Sequence, residues 1–533
     1  MTEQNILNFP AQISLEFGLD YLSRVKLTNL ALAEQQLAAF LDRLLEQPPE
    51  SGVLLELLET LRAPLCFINE EMARRYPNKM VPLTSEDDAA FHSVTSSWSK
   101  MCRAYALCAS LVRPAPEDPV FLKLMATILY RCIYYSGQIL VEHYRARREH
   151  PSGIWLELHG YYASAEEWHI AYTPLTDPLE NTVHATHCAA AYISLLLVDI
   201  ASPYSHSVRN LNLLRRWAWM WAPLVSISPL NDDNELPPYI VELLQDQPLH
   251  PSVTLEGPAR DARHLDTHRL HLQIQQSIGQ LQQRISPDEL GLGDENPSRV
   301  CKLLEQLSRP WSQSASPRRF RRFPSSGAAH LCTGFEAIFY HLENQAFEQP
   351  DTASAYSRAD FDTLYTFRDQ VDPGQALTIR PHIEFPYETW EVINQSATGF
   401  RLIRQEGGQR LSHGQLVAVR PHDGNKYLLA FATWLMQEAS GNLIIGLSIL
   451  PGLPRGVPYR IVDPRGGNLE RFNPGFLLPP SPQGEDESII LPTGQYRAGR
   501  EIEIFADERS RRVRMNRILR RQVDFERVSL VDL

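Results

Sequence analysis

The sequence predicts an α+β multidomain protein, a helical array followed by an antiparallel β-barrel with an insertion, and three observations carry that expectation. Apolar residues recur at spacings of three and four through the first 230 positions, the period of a buried helix face. From residue 312 onward, short apolar or alternating runs are separated by Gly407-Gly408, Asp423-Gly424-Asn425 and Gly441-Asn442, the punctuation of hairpins. Between them, prolines at 237, 238, 248 and 251 break the helical pattern because each lacks a backbone donor. The expected division is a helical domain over 1–230, a connecting region over 231–311 and a β-barrel domain over 312–533. A chain of 533 residues has room for three or four domains at roughly 150 residues each.

Element by element, Asn29 is a suitable N-cap for a helix whose stripe is Leu37, Phe40, Leu41, Leu44 and Leu45. A second helix runs through Leu54, Leu57, Leu58 and Leu61, and a third through Phe91, Val94, Trp98, Met101, Tyr105 and Cys108 to a stop at Pro114. The segment from Pro119 to about Arg148 is apolar on more than one side, so it should lie inside the array. Trp155, Leu158, Tyr162 and Ala163 resemble the first half of a tetratricopeptide-type hairpin, and helices are expected near 181–201 and 207–224. Arrays of this kind dock other proteins; a helical domain that only packs on its neighbour is the equal alternative. Trp217, Trp219 and Trp221 lie two apart, so on a helix they cannot form one stacking face, and core packing accounts for them.

In the connecting region, Leu270, Leu272 and Ile274 alternate with polar residues as a strand would, while Ile274, Ile278, Leu281 and Ile285 fit a helix equally well. A helix through Val300, Leu303, Leu304 and Leu307 follows. The β runs are Ala328–Leu342, Trp390–Ile403, Leu416–Arg420, Tyr427–Met436 and Leu443–Leu450, with further strands around 489–491, 501–505 and 512–515 assigned to the same β unit. Closure into a barrel removes the edges that an open sheet would expose. The arginines between 509 and 527 are read as a solvated strand face.

Composition narrows the function. Lys and Arg number 51 against 63 Asp and Glu, a net charge of −12, so the protein as a whole repels polyphosphate, and DNA is not an expected partner. Any phosphate ligand must be met by a local cluster of Arg. The apolar share of 43% fits a folded chain. The start carries no basic segment followed by an apolar one, and the longest apolar stretch, Cys188–Val198, is far short of the roughly 18 residues that span a bilayer. A cytoplasmic protein with no membrane span is expected. The seven cysteines are odd in number and form no CxxC pair, which favours reduced thiols. Neither His184-x2-His187-Cys188 nor His264-x3-His268-x2-His271 brings the remaining ligands of a closed metal site. No GxSxG elbow, P-loop, dinucleotide fingerprint or HExxH occurs. An enzyme, a cofactor and a metal are therefore not expected.

Two elements of the β region carry the chemistry. Pro317-Arg318-Arg319-Phe320-Arg321-Arg322-Phe323 contains an Arg-x3-Arg pair at Arg318 and Arg322. Guanidinium is planar, permanently charged and rich in donors, so it forks onto phosphate, pairs with the guanine edge or stacks on a base. Asn394-x-Ser396-x2-Gly399 lies between two apolar runs, where Asn and Ser bond the local backbone or a base edge and glycine relaxes the turn.

With these residues the sequence resembles the PilZ domain, a β-barrel receptor for the bacterial second messenger cyclic di-GMP. Arg318 and Arg322 match that family's RxxxR segment, Asn394, Ser396 and Gly399 match its [D/N]xSxxG motif, and Ala432-Thr433-Trp434 with Ile445-Gly446-Leu447 look like its last barrel strands. The resemblance covers about 312–465 and requires an insertion near 343–388, which carries the stripe Phe361, Leu364, Tyr365 and Arg368. It implies a cyclic-di-GMP-binding effector whose ligand residues are Arg318, Arg319, Arg322, Asn394, Ser396 and Gly399, with the helical half passing the ligand state to an unidentified protein partner. The alternative is a ligand-independent helical scaffold with a degenerate barrel.

Overall fold

The computed structural model describes every residue except 1–8, 11, 180–184, 231–235, 256–260, 314–321, 351–384, 406, 463–470, 481–485 and 508. Arg318 and Arg319 fall outside the described residues, as does most of the expected insertion with its stripe from Phe361 to Arg368. The chain divides into two compact units, Met1–Arg318 with Met436–Ser440, and Arg319–Leu435 with Gly441–Leu533.

The first unit begins with α1 (Leu15–Arg24), α2 (Leu30–Glu46), α3 (Ser51–Met72), α4 (Ser85–Leu111) and α5 (Pro119–Ala146). These are followed by α6 (Ile154–Glu167), α7 (Cys188–Ile200) and α8 (Val208–Trp221). Side-chain caps set several starts: Asn29 accepts from the Leu32 amide, Thr84 from Asp87, and Asp118 from Val120 just ahead of Pro119. The predicted stripes are the buried ones, including Leu37, Phe40, Leu41 and Leu44 on α2 and Phe91, Val94, Trp98 and Met101 on α4. α5 packs against α4, α6 and α7, which accounts for its burial on several sides, from Tyr130 and Cys132 to Ile139 and Leu140. His187 caps α7 by accepting from the Ala190 amide. Trp217 and Trp221 are buried, with the Trp217 indole donating to the Leu292 carbonyl.

Residues 231–311 do more than connect. A four-stranded sheet forms from β1 (Ser226–Pro229), β2 (Tyr239–Glu242), β3 (His250–Pro251) and β4 (Ala262–Asp266), in the order β1-β4-β2-β3. Then α9 (His268–Gln282) and α10 (Pro297–Trp311) bury Leu270, Ile274, Leu303, Leu307 and Trp311 in the same core as the first eight helices. The helical spacing prevails over the alternating one at 270–274 because Leu272 is 53% exposed while Leu270 and Ile274 are buried.

In the second unit, β5 (Phe323–Pro324), β6 (Ala328–Thr333), α11 (Phe335–Glu343), β7 (Glu388–Ser396) and β8 (Gly399–Arg404) come first. β9 (Leu416–Pro421), β10 (Leu428–Gln437) and β11 (Leu443–Ile449) complete an antiparallel sheet of order β5-β7-β6-β9-β10-β11-β8, and pairing of β7 with β8 closes it. The run 328–342, expected as β, is a strand and a helix joined at Gly334, whose φ of 87° suits glycine.

The later strands close a barrel of their own. β12 (Arg455–Ile461), β13 (Asn473–Leu478), β14 (Ser488–Pro492), β15 (Glu501–Ala506), β16 (Arg509–Arg521) and β17 (Phe525–Asp532) pair in the order β12-β13-β14-β17-β16-β15. Val457, Tyr459, Ile489, Ile502, Val513 and Val528 fill it. A shared cluster of Ile338 and Phe339 on α11 with Phe431, Phe476 and Phe525 joins the two barrels. On β16, Val513 and Met515 point inward and most of the arginines are exposed.

No described helix is long and apolar enough to cross a membrane. The seven cysteines are free. Among the described residues no group of three or more His, Cys, Asp or Glu could hold a metal ion.

Candidate ligand-binding site

The site is built on one edge of β7. β5 pairs with β7 through Phe323 opposite Gln395 and Pro324 opposite Asn394. Further along the same edge, β6 pairs with β7 from Ala328 opposite Glu391 to Leu331 opposite Glu388. Thus β5 and β6 form one bent run along β7. Arg322, exposed at the start of that run, stands one residue before the rung that lies between Asn394 and Ser396.

The Asn-Ser-Gly motif is a two-residue hairpin. Ser396 pairs with Gly399 across Ala397-Thr398, the Ser396 hydroxyl donates to the Gly399 carbonyl at 3.4 Å, and the Thr398 amide donates to the Ser396 hydroxyl oxygen at 3.4 Å. Gly399 is required by its neighbour: a Cβ there would overlap the Leu447 carbonyl oxygen of β11. A register shift between Val392 and Asn394 inserts one extra residue into β7, and such a bulge re-aims the side chains beyond it.

Beyond that shift, Asn394 lies directly opposite Arg401, and Arg401 opposite Gly446. Directly paired residues share a face, so Asn394, Arg401 and Gly446 lie together on the outer surface, away from buried Phe400 and Leu402. The Arg401 guanidinium stands over the Trp434 ring at 5.6 Å, and Thr433 donates to the Gly446 carbonyl at 2.8 Å. Sequence reasoning did not single out Arg401. Strand alternation from Gly399 would have found it, because residue 401 must share the face of residue 399.

The structure therefore brings Arg322, Asn394, Ser396 and Gly399 to one end of β7, Arg322 on its β5 side and Gly399 on its β8 side, and adds Arg401 and Trp434 to the surface beside them. At the far end of β7 a separate aromatic cluster forms, with His330 stacked on Tyr387 at 4.2 Å and Arg420 donating to His330 Nδ1 at 2.8 Å. Burial, then the Arg420 charge, holds the His330 imidazole below its ordinary pKa.

Three family models match consecutive parts of the chain. "Cyclic-di-GMP receptor FimW, N-terminal domain" matches residues 18–232, "Cyclic-di-GMP receptor FimW, middle PilZ domain" matches 239–364, and "FimW C-terminal beta-barrel domain" matches 458–533. The segment 239–364 is thus similar to a PilZ domain, with a match to a receptor's N-terminal domain before it and a match to a C-terminal β-barrel domain after it. Over most of its length it is similar to the "Cyclic-di-GMP receptor FimW" of Pseudomonas aeruginosa, at 22% identity, covering 93% of this chain and 87% of that protein. No solved structure matches. The PilZ match begins at residue 239, well before the barrel, and the C-terminal end is matched by a model of its own. Strands β7–β11 lie between these two matched segments.

Proposed function

We propose that this chain is a cytoplasmic cyclic-di-GMP-binding effector, a non-catalytic receptor in which the first barrel takes the dinucleotide and the helical half engages a protein partner. Arg318, Arg319 and Arg322 clamp the phosphates and guanine, Asn394 and Ser396 offer polar groups to the base edge, and Gly399 keeps the hairpin close to β11. Arg401 joins them as a further cation. The observation that carries the reading is the Phe323–Gln395 rung, which sets the second arginine of the pair beside the Asn-Ser hairpin. The similar receptor from Pseudomonas aeruginosa supports the ligand class. Ligand capture between the arginines and the barrel changes the surface of the domain, and this change is what the partner reads.

Calorimetric titration with cyclic di-GMP tests the proposal. Each charge-assisted hydrogen bond is worth roughly 1.5–3 kcal/mol, so the Arg318→Ala/Arg322→Ala protein should bind at least about 100-fold more weakly than the wild type. Equal affinity in both proteins would remove these arginines from the site, and no binding to the wild type would favour the ligand-independent scaffold.

A further inference from the structure

The first compact unit includes a short piece from far along the chain, Met436–Ser440. It is the end of β10 and the turn that leads to β11. Within that unit the piece is held by backbone bonds just beyond α5. The Gln437 amide donates to the Arg147 carbonyl at 2.8 Å and the Glu149 amide donates to the Gln437 carbonyl at 2.8 Å, which makes a parallel bridge of Arg148 with Gln437. The Glu149 carboxylate then accepts from the Ala439 amide at 3.0 Å.

The receiving end is held in one arrangement. α5 stops at Arg147, whose φ of 55° lies in the left-handed region, a conformation that a residue other than glycine keeps only where its surroundings impose it. Here they do. The buried Arg147 guanidinium donates to the Tyr204 carbonyl at 2.6 Å and to the His206 carbonyl at 2.8 Å, and the Tyr204 hydroxyl donates to the Arg148 carbonyl at 2.6 Å.

The same strand carries Trp434 three residues before Gln437, about 10 Å away at the rise of a β-strand. The Arg401 guanidinium stands over that ring at 5.6 Å. Its Nε is buried and has no hydrogen-bond partner among the described residues, so it keeps a donor for a ligand. On its β11 side the indole leaves no room for even a Cβ on Gly446, and Thr433 is tied to the Gly446 carbonyl. Trp434 therefore cannot sink toward β11, and in close packing its movement is passed to its own strand.

We infer that the β10–β11 hairpin couples the ligand site of the first barrel to the end of α5, an inference that rests on the binding function proposed above. When the Arg401 guanidinium turns from the Trp434 ring to the dinucleotide, the ring and β10 shift together, and the bonds of Gln437 to Arg147 and Glu149 pass between a made and a broken arrangement. Such coupling is reciprocal: what changes the bonds must also change the affinity.

The test is hydrogen exchange of the full-length protein, resolved at the Glu149 amide, with and without saturating cyclic di-GMP. The ligand should change the Glu149 exchange rate at least about fivefold. Trp434→Leu should still bind the dinucleotide but lose that response. Glu149→Pro removes the donor to Gln437 and, in a protein that melts as the wild type does, should shift the affinity at least about fivefold; the exchange measurement on the wild type needs no variant. An indifferent Glu149 amide in the ligand-bound wild type would overturn the coupling and leave the binding function standing. Absence of binding by calorimetry would instead remove that function, and the coupling with it.

Discussion

The indole of Trp434 lies flat against Gly446 on the neighbouring strand, so closely that a methyl group on that glycine would overlap the indole nitrogen. The Arg401 guanidinium stands over the same ring. Gly446→Ala must therefore displace Trp434, and overpacking of this kind costs about 1–3 kcal/mol. In the double variant with Trp434→Phe most of that loss should be recovered. A double-mutant cycle by chemical denaturation measures the coupling; additive losses would show that the two residues do not share this packing.

Arg401→Gln removes a cation from the face of Asn394 without opening the core. Loss of one charge-assisted contact is worth roughly 1.5–3 kcal/mol, so cyclic-di-GMP affinity should fall about tenfold or more with little change in melting temperature. Calorimetry on the purified variant checks it, and undiminished affinity would exclude Arg401 from the site.

Asp177 anchors α3 and α5 to the loop ahead of α7 through Arg62 and Arg131. Burial alone would raise its carboxyl pKa, but the two guanidinium groups hold it below the usual 3.8. Its stabilising contribution is present above pH 3.8 and is lost as the pH falls through the lowered folded value. Asp177→Ala leaves two buried cations short of a partner and should cost about 3–5 kcal/mol at neutral pH. Urea denaturation followed by far-ultraviolet circular dichroism reads this directly.

Asp524 behaves in the opposite sense. It accepts from the Leu416 amide at 2.9 Å and so ties the turn between β16 and β17 to β9. Burial pushes its carboxyl up to about 6 from 3.8. With the folded value above the unfolded one, its contribution is greatest below pH 3.8 and is lost as the pH rises through about 6. Asp524→Asn keeps an acceptor and removes the charge. After allowance for solvent screening it should stabilise the protein by about 1 kcal/mol at neutral pH, with the gap closing on acidification. Thermal melts across that pH range decide it; a constant gap would show that Asp524 does not titrate there.

Much of this architecture was legible because periodicity reports burial. Leu37, Phe40, Leu41 and Leu44, or Phe91, Val94 and Trp98, can line one face only if the chain coils with helical spacing, and they are buried together. The hairpin from Trp390 to Ile403 was visible because its turn residues are local. What was not legible depends on distant pairing. Nothing near residues 489–515 says which strands they will meet, so their closure into a separate barrel was hidden. The run from Ala328 to Leu342 is apolar whether strand or helix, and only Gly334 marks the change. Alternation along β8 puts Arg401 on the face of Gly399, but its place opposite Asn394 was not legible, because that pairing passes through the register shift in β7.

One consequence of the β5–β6 run along β7 concerns how such sites are recognised. The chain leaves β6 at Thr333 and comes back at Glu388 to pair with the strand it has just left. Whatever length of polypeptide is spliced into that excursion, the backbone ladder returns Arg322 and Ser396 to the same mutual position. A search template that fixes the number of residues between the two motifs will therefore pass over chains built on this plan, whereas one that asks only for strand order and register will retrieve them.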